Sequence, residues 1–216
     1  MHCKLCGRMD VELFFSDPPR TYLHCSSCNL IFTSDDSYVT RAQEQARYAM
    51  HDNSESNHGY VRFLEVVAEM AIACTPSGGS VLDFGCGKNA VLETIIQRKC
   101  SLQCDSYDPL FDQNIIIPEK EYDTIVMCEV IEHLRNLHEE LELLGKLLKI
   151  NGILIVRTQK YKSLQMFPSW WYRQDSTHIN FFNDASLSFV ASLLNRISVP
   201  TSYNDIVILK PASLQG

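Results

Sequence analysis

Val81-Leu82-Asp83-Phe84-Gly85-Cys86-Gly87-Lys88-Asn89 decides how this chain of 216 residues is read. Apolar residues and an acid run into two closely spaced glycines, and an apolar pattern of helical period follows at Leu92, Ile95 and Ile96. A buried strand that ends in a glycine turn and feeds a helix brings backbone N–H groups up against a ligand. Gly85 and Gly87 lack a Cβ, so the turn can be tight and a ligand can approach the main chain. Working outward, residues 101–107 read as a second strand that ends at Asp108-Pro109. A carboxylate about twenty residues beyond such glycines suits the ribose of a nucleotide.

The spacing departs from the dinucleotide pattern G-x-G-x-x-G, because Asn89 follows Lys88 and no third glycine comes next. It resembles instead the class I S-adenosylmethionine-dependent methyltransferases, whose motif reads acid-x-G-x-G-x-G. Asn89 stands where that family has its last glycine, and Asn is the residue next most tolerant of positive φ. The resemblance implies S-adenosylmethionine as cofactor, with contacts from Asp83, Gly85, Cys86, Gly87, Asp108, Pro109, Cys128 and Glu129. Phe111 or Asp112 is expected near the adenine.

The pattern beyond the motif fits an α/β, Rossmann-like doubly wound sheet. Residues 122–128 read as a fully buried strand, and residues 137–148 as a helix with Leu141, Leu144, Leu147 and Leu148 on one face. Asn151-Gly152 is expected to cap that helix and turn it into a strand over 153–157, and residues 199–209 suit the last two strands. Only residues 110–122 remain for the family's third strand, so that region is expected to be shortened. Helical patterns also cover residues 40–50 and 60–74, separated by polar residues. In the family a helix before the first strand often closes over the methionine end of the cofactor, which directs attention to Tyr48, His51, Asn53 and Tyr60.

Cys3-x-x-Cys6 and Cys25-x-x-Cys28 give C-x2-C-x18-C-x2-C, a spacing suited to four thiolates around a structural zinc. The alternating Val11, Leu13 and Phe15 and the later Tyr22 and Leu23 read as short strands separated by Asp17-Pro18-Pro19, so a hairpin is expected to join the two cysteine pairs. The expected organisation is a zinc ribbon over residues 1–33, a linker and helices over 34–79, and the cofactor domain over 80–216. A protein partner for the ribbon is one use of it.

Composition narrows the function. A net charge of −7 argues against broad capture of nucleic acid. Three basic and three acidic side chains in residues 1–33 give the ribbon no basic face either. No apolar run is long enough for a bilayer and no signal peptide is visible. Nine cysteines without an export signal then point to a reducing, cytoplasmic setting.

Three places can supply chemistry. Glu129-x-x-Glu132-His133 is similar to ubiquinone-biosynthesis O-methyltransferases and to small-RNA 3′-terminal 2′-O-methyltransferases. In those families these positions help to hold a divalent metal, and His178 is placed to complete the set. Residues 170–182 interleave aromatics with polar groups after the fifth strand. There His178 is a base near neutral pH, Asp175 orients it, and Trp171 and Tyr172 wall an acceptor pocket. His51 is the third candidate. From Tyr48-x-x-His51-x-Asn53 to Asp175-x-Thr177-His178 the chain also resembles a bacterial methyltransferase subfamily with an N-terminal zinc ribbon. The leading expectation is methyl transfer to O or N, less favourably C, of a small molecule, with His178 as base. The alternatives are an RNA methyltransferase with a metal at Glu129, Glu132, His133 and His178, and a non-catalytic binding module.

Overall fold

The computed structural model describes residues 1–50, 52–108, 110–111 and 120–214, so His51, Pro109 and Asp112 lie outside the described residues. At the N-terminus β1 (Val11–Asp17) and β2 (Arg20–Cys25) form an antiparallel hairpin, and β3 (Ile31–Thr33) pairs with the other side of β2. The four cysteines gather at one end of it. Cys3 Sγ lies 3.5 Å from Cys28 Sγ, and Cys6 Sγ lies 3.5 Å from Cys25 Sγ. Helix α1 (Arg41–Ala49) opens on a capping box between Thr40 and Gln43 and buries none of its residues. Helix α2 (His58–Cys74) is capped by Asn57 and buries Leu64, Val67, Ala68 and Ala71, a single face at helical spacing.

The remaining elements in chain order are β4 (Ser80–Phe84), α3 (Val91–Lys99), β5 (Gln103–Tyr107), β6 (Tyr122–Cys128), α4 (Leu137–Leu147), β7 (Leu148–Arg157), β8 (Asn180–Phe181), α5 (Asp184–Leu193), β9 (Ile197–Pro200) and β10 (Ile206–Lys210). Six of the strands form one sheet in the order β5-β4-β6-β7-β10-β9. Strands β5, β4, β6 and β7 are parallel, β10 is antiparallel to β7, and β9, antiparallel to β10, runs again in the direction of the first four. The chain leaves β4 for β5 on one side and returns to β6 on the other. That reversal opens a crevice at the carboxyl end of β4, the end that carries Gly85.

One expectation is corrected at the start of β7. The strand begins at Leu148, and Asn151-Gly152 lies within it rather than in a turn between helix and strand. Tyr122 pairs with Leu148 and Thr124 with Ile153, so the extra residues of β7 form a bulge against β6. Gly152 is needed there because a Cβ would come within 2.9 Å of the backbone at Lys149 and Tyr122. Arg196 fills the bulge, donating to the carbonyls of Gly152 and Lys149.

The second sheet crosses the expected boundary at residue 33. Its order is β1-β2-β3-β8, with Ile31 opposite Phe181 and Phe32 opposite Asn180. Cys3, Leu5, Cys25, Cys28 and Leu30 also share one continuous core with Leu82, Phe84 and Met127 of the main sheet. The cysteine segment therefore rests on apolar burial against the larger unit as well as on its own thiols. A second, aromatic cluster of Tyr22, Ile31, Tyr161, Phe167, Tyr172 and Phe181 seals the same junction.

Asp83, within the buried β4, carries a stability consequence. Burial, with Asp108 and Glu93 adding like charge, pushes its carboxyl up to about 7. The folded chain then holds a proton that the unfolded chain releases, so stability falls as pH rises from about 4 through about 7. Asp83→Asn removes the titration. Its stability advantage over the parent should be larger at pH 8 than at pH 5 by on the order of 2 kcal/mol, read from urea unfolding. An advantage that does not change with pH would contradict the buried-acid account.

Candidate active site

A cavity of about 1150 Å³ opens at the carboxyl ends of β4 and β6. Its floor at one end is the glycine turn. Gly85 has φ +83°, and a Cβ there would lie 2.4 Å from Val130 Cγ2, so both conformation and space demand glycine. Gly87 has φ +67° and open space around it. The left-handed residue expected at Asn89 falls instead on Ala90, at φ 45°, immediately before α3. Asn89 uses its side chain differently, donating from Nδ2 to the carbonyl of Asn53 at 2.8 Å.

Asp108 follows β5 and lines the cavity. Its Oδ2 accepts from the N–H of Gly87 at 2.9 Å and its Oδ1 from the N–H of Leu110 at 2.9 Å. The carboxylate thus ties the glycine turn to the next loop. Gly85, Gly87, Cys128, Glu129 and Phe111 also face the cavity, whereas Asp83 and Cys86 lie behind its wall. From the helical segment Tyr48, Asn53 and Tyr60 reach the same space.

The other end is ionisable. Glu129 leaves β6 with φ +55°, a conformation few non-glycine residues adopt, and the chain turns at once into Glu132 and His133. Glu132 is fully buried. Its Oε2 accepts from Thr158 Oγ1 at 3.0 Å, and the Tyr172 hydroxyl bonds its Oε1. That hydroxyl also lies 3.0 Å from Glu129 Oε2, while Glu129 Oε1 is buried with no partner among the described residues. His133 Nδ1 donates to the Thr177 carbonyl at 2.9 Å, and His178 Nδ1 to the Tyr172 carbonyl at 2.8 Å. Because a carbonyl only accepts, each Nδ1 carries the proton and each Nε2 keeps a lone pair. The two rings stand 4.8 Å apart. One ligand atom each from Glu132, His133 and His178 falls within a 4.8 Å group.

Electrostatics follow from that crowding. Burial pushes Glu132 up to about 7. Burial and then the charge of Glu132 push Glu129 up to about 8. Burial lowers His133, and burial together with His133 takes His178 down to about 3. The carboxylates resist ionisation and the imidazoles resist protonation, because burial disfavours the charged form of each.

Two roles expected of residues 170–182 change. Asp175 does not orient the ring of His178. Its Oδ1 accepts from Thr177 N and Oγ1, and its Oδ2 accepts from Arg47 of α1 at 2.8 and 3.1 Å. A backbone carbonyl already serves His178 Nδ1, so the carboxylate is left free to hold α1. Trp171 is 62% exposed and takes no part in the cavity wall, and Tyr172 turns inward to bond the two glutamates. Thr158 and Arg20 were not singled out from the sequence. Arg20 lies in the cysteine hairpin, far along the chain, and donates to the carbonyls of Arg173 at 2.5 Å, Asp175 at 3.0 Å and His178. Its contact depends on how β3 meets β8, which no local pattern encodes.

A family model described as a methyltransferase domain matches residues 44–191, more than half of the chain. No curated protein sequence matches it. Among solved structures, an O-methyltransferase family protein from Burkholderia thailandensis is similar with a TM-score of 0.57 at 13% identity, over 80% of this chain and 64% of that one. The chain therefore spans about two thirds of that relative's length. The 1,6-didemethyltoxoflavin-N1-methyltransferase of Burkholderia thailandensis, solved with 1,6-didemethyltoxoflavin and S-adenosylhomocysteine, gives a TM-score of 0.53 at 10% identity, over 93% of this chain and 99% of that one. At these identities the likeness is one of fold. The chain belongs to the methyltransferase-domain family.

Proposed function

We propose that the chain transfers the methyl group of S-adenosylmethionine to an oxygen or nitrogen of a small-molecule acceptor, at a centre formed by Glu132, His133 and His178. The observation that carries this reading is the convergence of those three side chains in the same cavity as Gly85, Gly87 and Asp108. The glycine turn suits the methionine end of the cofactor, and Asp108 suits the ribose hydroxyls. In the reaction the acceptor's lone pair forms a bond to the methyl carbon as the carbon–sulfur bond breaks, and that electron pair returns to sulfur. Binding both partners in line removes most of the entropic barrier. Glu129 lines the cavity, and its carboxyl in the ionised form is the group suited to receive the acceptor's proton.

His178 is better suited as a ligand than as an isolated base. Its environment disfavours a proton on Nε2, and the lone pair shares its space with Glu132 and His133. Two neutral imidazoles and a carboxylate fit a divalent ion, and such an ion lowers the pKa of a bound hydroxyl. The carbonyls that hold each Nδ1–H and the hydroxyls that hold Glu132 are the outer contacts a metal site requires. The same cavity also bears on RNA as acceptor. Glu44, Asp52, Asp108, Glu129 and Asp175 line it against Lys88, an acidic wall that disfavours a phosphate-bearing acceptor.

The four cysteines are read as a structural zinc site. All four Sγ atoms lie within 4.8 Å of one another, near the ~3.8 Å separation of thiolates bound to zinc at about 2.3 Å. Sharing of a hydrogen bond with Cys28 lowers Cys3 to about 5, while burial raises Cys6 to about 11, so without a countercharge not all four thiols ionise. The cytoplasmic setting rests on nine cysteines that are all free of disulfides.

Three measurements test this. Asp108→Ala should weaken S-adenosylhomocysteine binding by more than about tenfold in calorimetry, since hydrogen bonds to a charged group are worth about 1.5–3 kcal/mol. Unaltered affinity would displace the nucleoside from Asp108. His133→Ala should keep S-adenosylhomocysteine binding and lose at least about tenfold in Mn²⁺ affinity. A parent chain that binds no Mn²⁺ beyond its zinc would end the metal reading. Native mass spectrometry should find one zinc per chain, absent from Cys6→Ser and retained by Cys74→Ser. Loss of about 3 kcal/mol with the ion would lower the melting temperature by roughly 10 °C.

A further inference from the structure

The hairpin that carries the cysteines also delivers a buried cation to the reaction centre. Arg20 is 9% exposed, and none of the described carboxylates forms an ion pair with it. Its guanidinium is surrounded by dipoles and ring faces instead. Nη1 donates to the carbonyls of Arg173 and Asp175, Nη2 donates to that of His178, and the rings of Tyr22 and Phe181 stand 5.1 and 5.9 Å away. A charge buried in this way carries a desolvation cost that an apolar side chain of similar volume would not. What the guanidinium adds is a rigid planar fork that fixes several acceptors at once. All three acceptors lie within residues 173–178, and the last is the carbonyl of His178 itself.

The ring of that residue is held from the other side of the same stretch, by Nδ1–H on the Tyr172 carbonyl. Backbone bonds therefore bracket His178. Arg20 grips its carbonyl, and Tyr172 grips its ring. The neighbouring Ile179 carbonyl accepts from Thr33 N at 2.9 Å, which carries the same control into β3. His133 depends on this stretch too, because its Nδ1 donates to the Thr177 carbonyl. A displacement of 173–178 by about 1 Å would turn both Nε2 atoms away from Glu132, and errors of that size cost reaction centres about a hundredfold.

We propose that Arg20 is a positioning residue of the methyl-transfer centre, which fixes the carbonyls of 173–178 from the cysteine hairpin and so directs His178 Nε2 toward Glu132 and His133. The proposal rests on the reading of His178 as a member of that centre. The cysteine hairpin is on this account a template for the centre and not an appended stability module.

The test compares Arg20→Lys and Arg20→Gln with Tyr161→Phe in the full chain. Tyr161 also ties the hairpin to the body, through its hydroxyl on the Asn29 carbonyl, but it does not bond residues 173–178. Each protein is assayed for zinc content, S-adenosylhomocysteine affinity, Mn²⁺ affinity and the ring-nitrogen NMR signals of ¹⁵N-labelled histidine. The Arg20 variants should keep one zinc and bind S-adenosylhomocysteine within about threefold. They should lose at least about tenfold in Mn²⁺ affinity, as outer contacts of metal ligands do when removed. The Nδ1–H signals of His178 and His133 should shift or broaden. Tyr161→Phe should leave both signals and Mn²⁺ affinity unchanged. Unmoved His178 signals in both Arg20 variants would overturn the proposal, as would equal shifts in Tyr161→Phe. Loss of zinc and S-adenosylhomocysteine binding in both Arg20 variants would overturn it too, by making Arg20 a folding residue. If the parent binds no Mn²⁺, the metal reading fails while the histidine signals still decide the role of Arg20.

Discussion

Two backbone pairings, Ile31 with Phe181 and Phe32 with Asn180, hold the N-terminal hairpin to the stretch that carries His178. The strand β8 is only two residues long, so on its own it is a weak element. It persists because both sides of the junction are packed. Leu5, Leu30 and Phe32 join the main core on one side, and Tyr22, Phe167 and Phe181 form the aromatic cluster on the other. Once that junction is set, the backbone of 173–178 has only one place to lie. Glu132, His133 and His178 then meet although 44 or more residues separate the first two from the third along the chain.

The same packing explains the charge state of the centre. A group of two glutamates and two histidines in water would ionise as two anions and two weak cations. Excluding water by Tyr172, Phe181 and the main sheet makes every charge expensive, so the acids rise and the imidazoles fall. The side-chain hydrogen bonds given to the glutamates among the described residues come from hydroxyls, which are themselves neutral. The centre is thus partly satisfied in hydrogen bonding, since Glu129 Oε1 has no partner among the described residues, and poorly satisfied in charge.

Much of this was legible in the sequence, and the reasons differ by residue. Gly85, Gly87 and Asp108 stand out because a strand–turn–helix unit is local, and its chemistry is confined to some thirty residues of chain. The cysteine pairs stand out because ligand spacing is also local. Glu132, His133 and His178 were recoverable only through resemblance, since periodicity says nothing about where two distant segments meet. Asp175 was given to His178 because the two are close in sequence, yet the Tyr172 carbonyl is closer to the ring in space. Gly152 was read as a helix terminator and proved to be the tight point of a bulge, because the pattern could not show that β7 starts five residues early and pairs with β6 there. Arg20 had no local signal at all.

Helix α1 differs from every other wall of the cavity. It has no buried residue, and it is fastened by Arg47 on Asp175 at 2.8 Å and Glu44 on Arg135 at 3.0 Å. Apolar burial is little affected by salt, but partly exposed ion pairs weaken as counterions crowd around them, within about 8–10 Å at physiological ionic strength. The attachment of α1 is therefore more sensitive to salt than that of α2, α3, α4 and α5, each of which buries apolar residues. The ring of Tyr48, edge-on to His133 at 5.3 Å, is the part of that attachment which salt leaves in place.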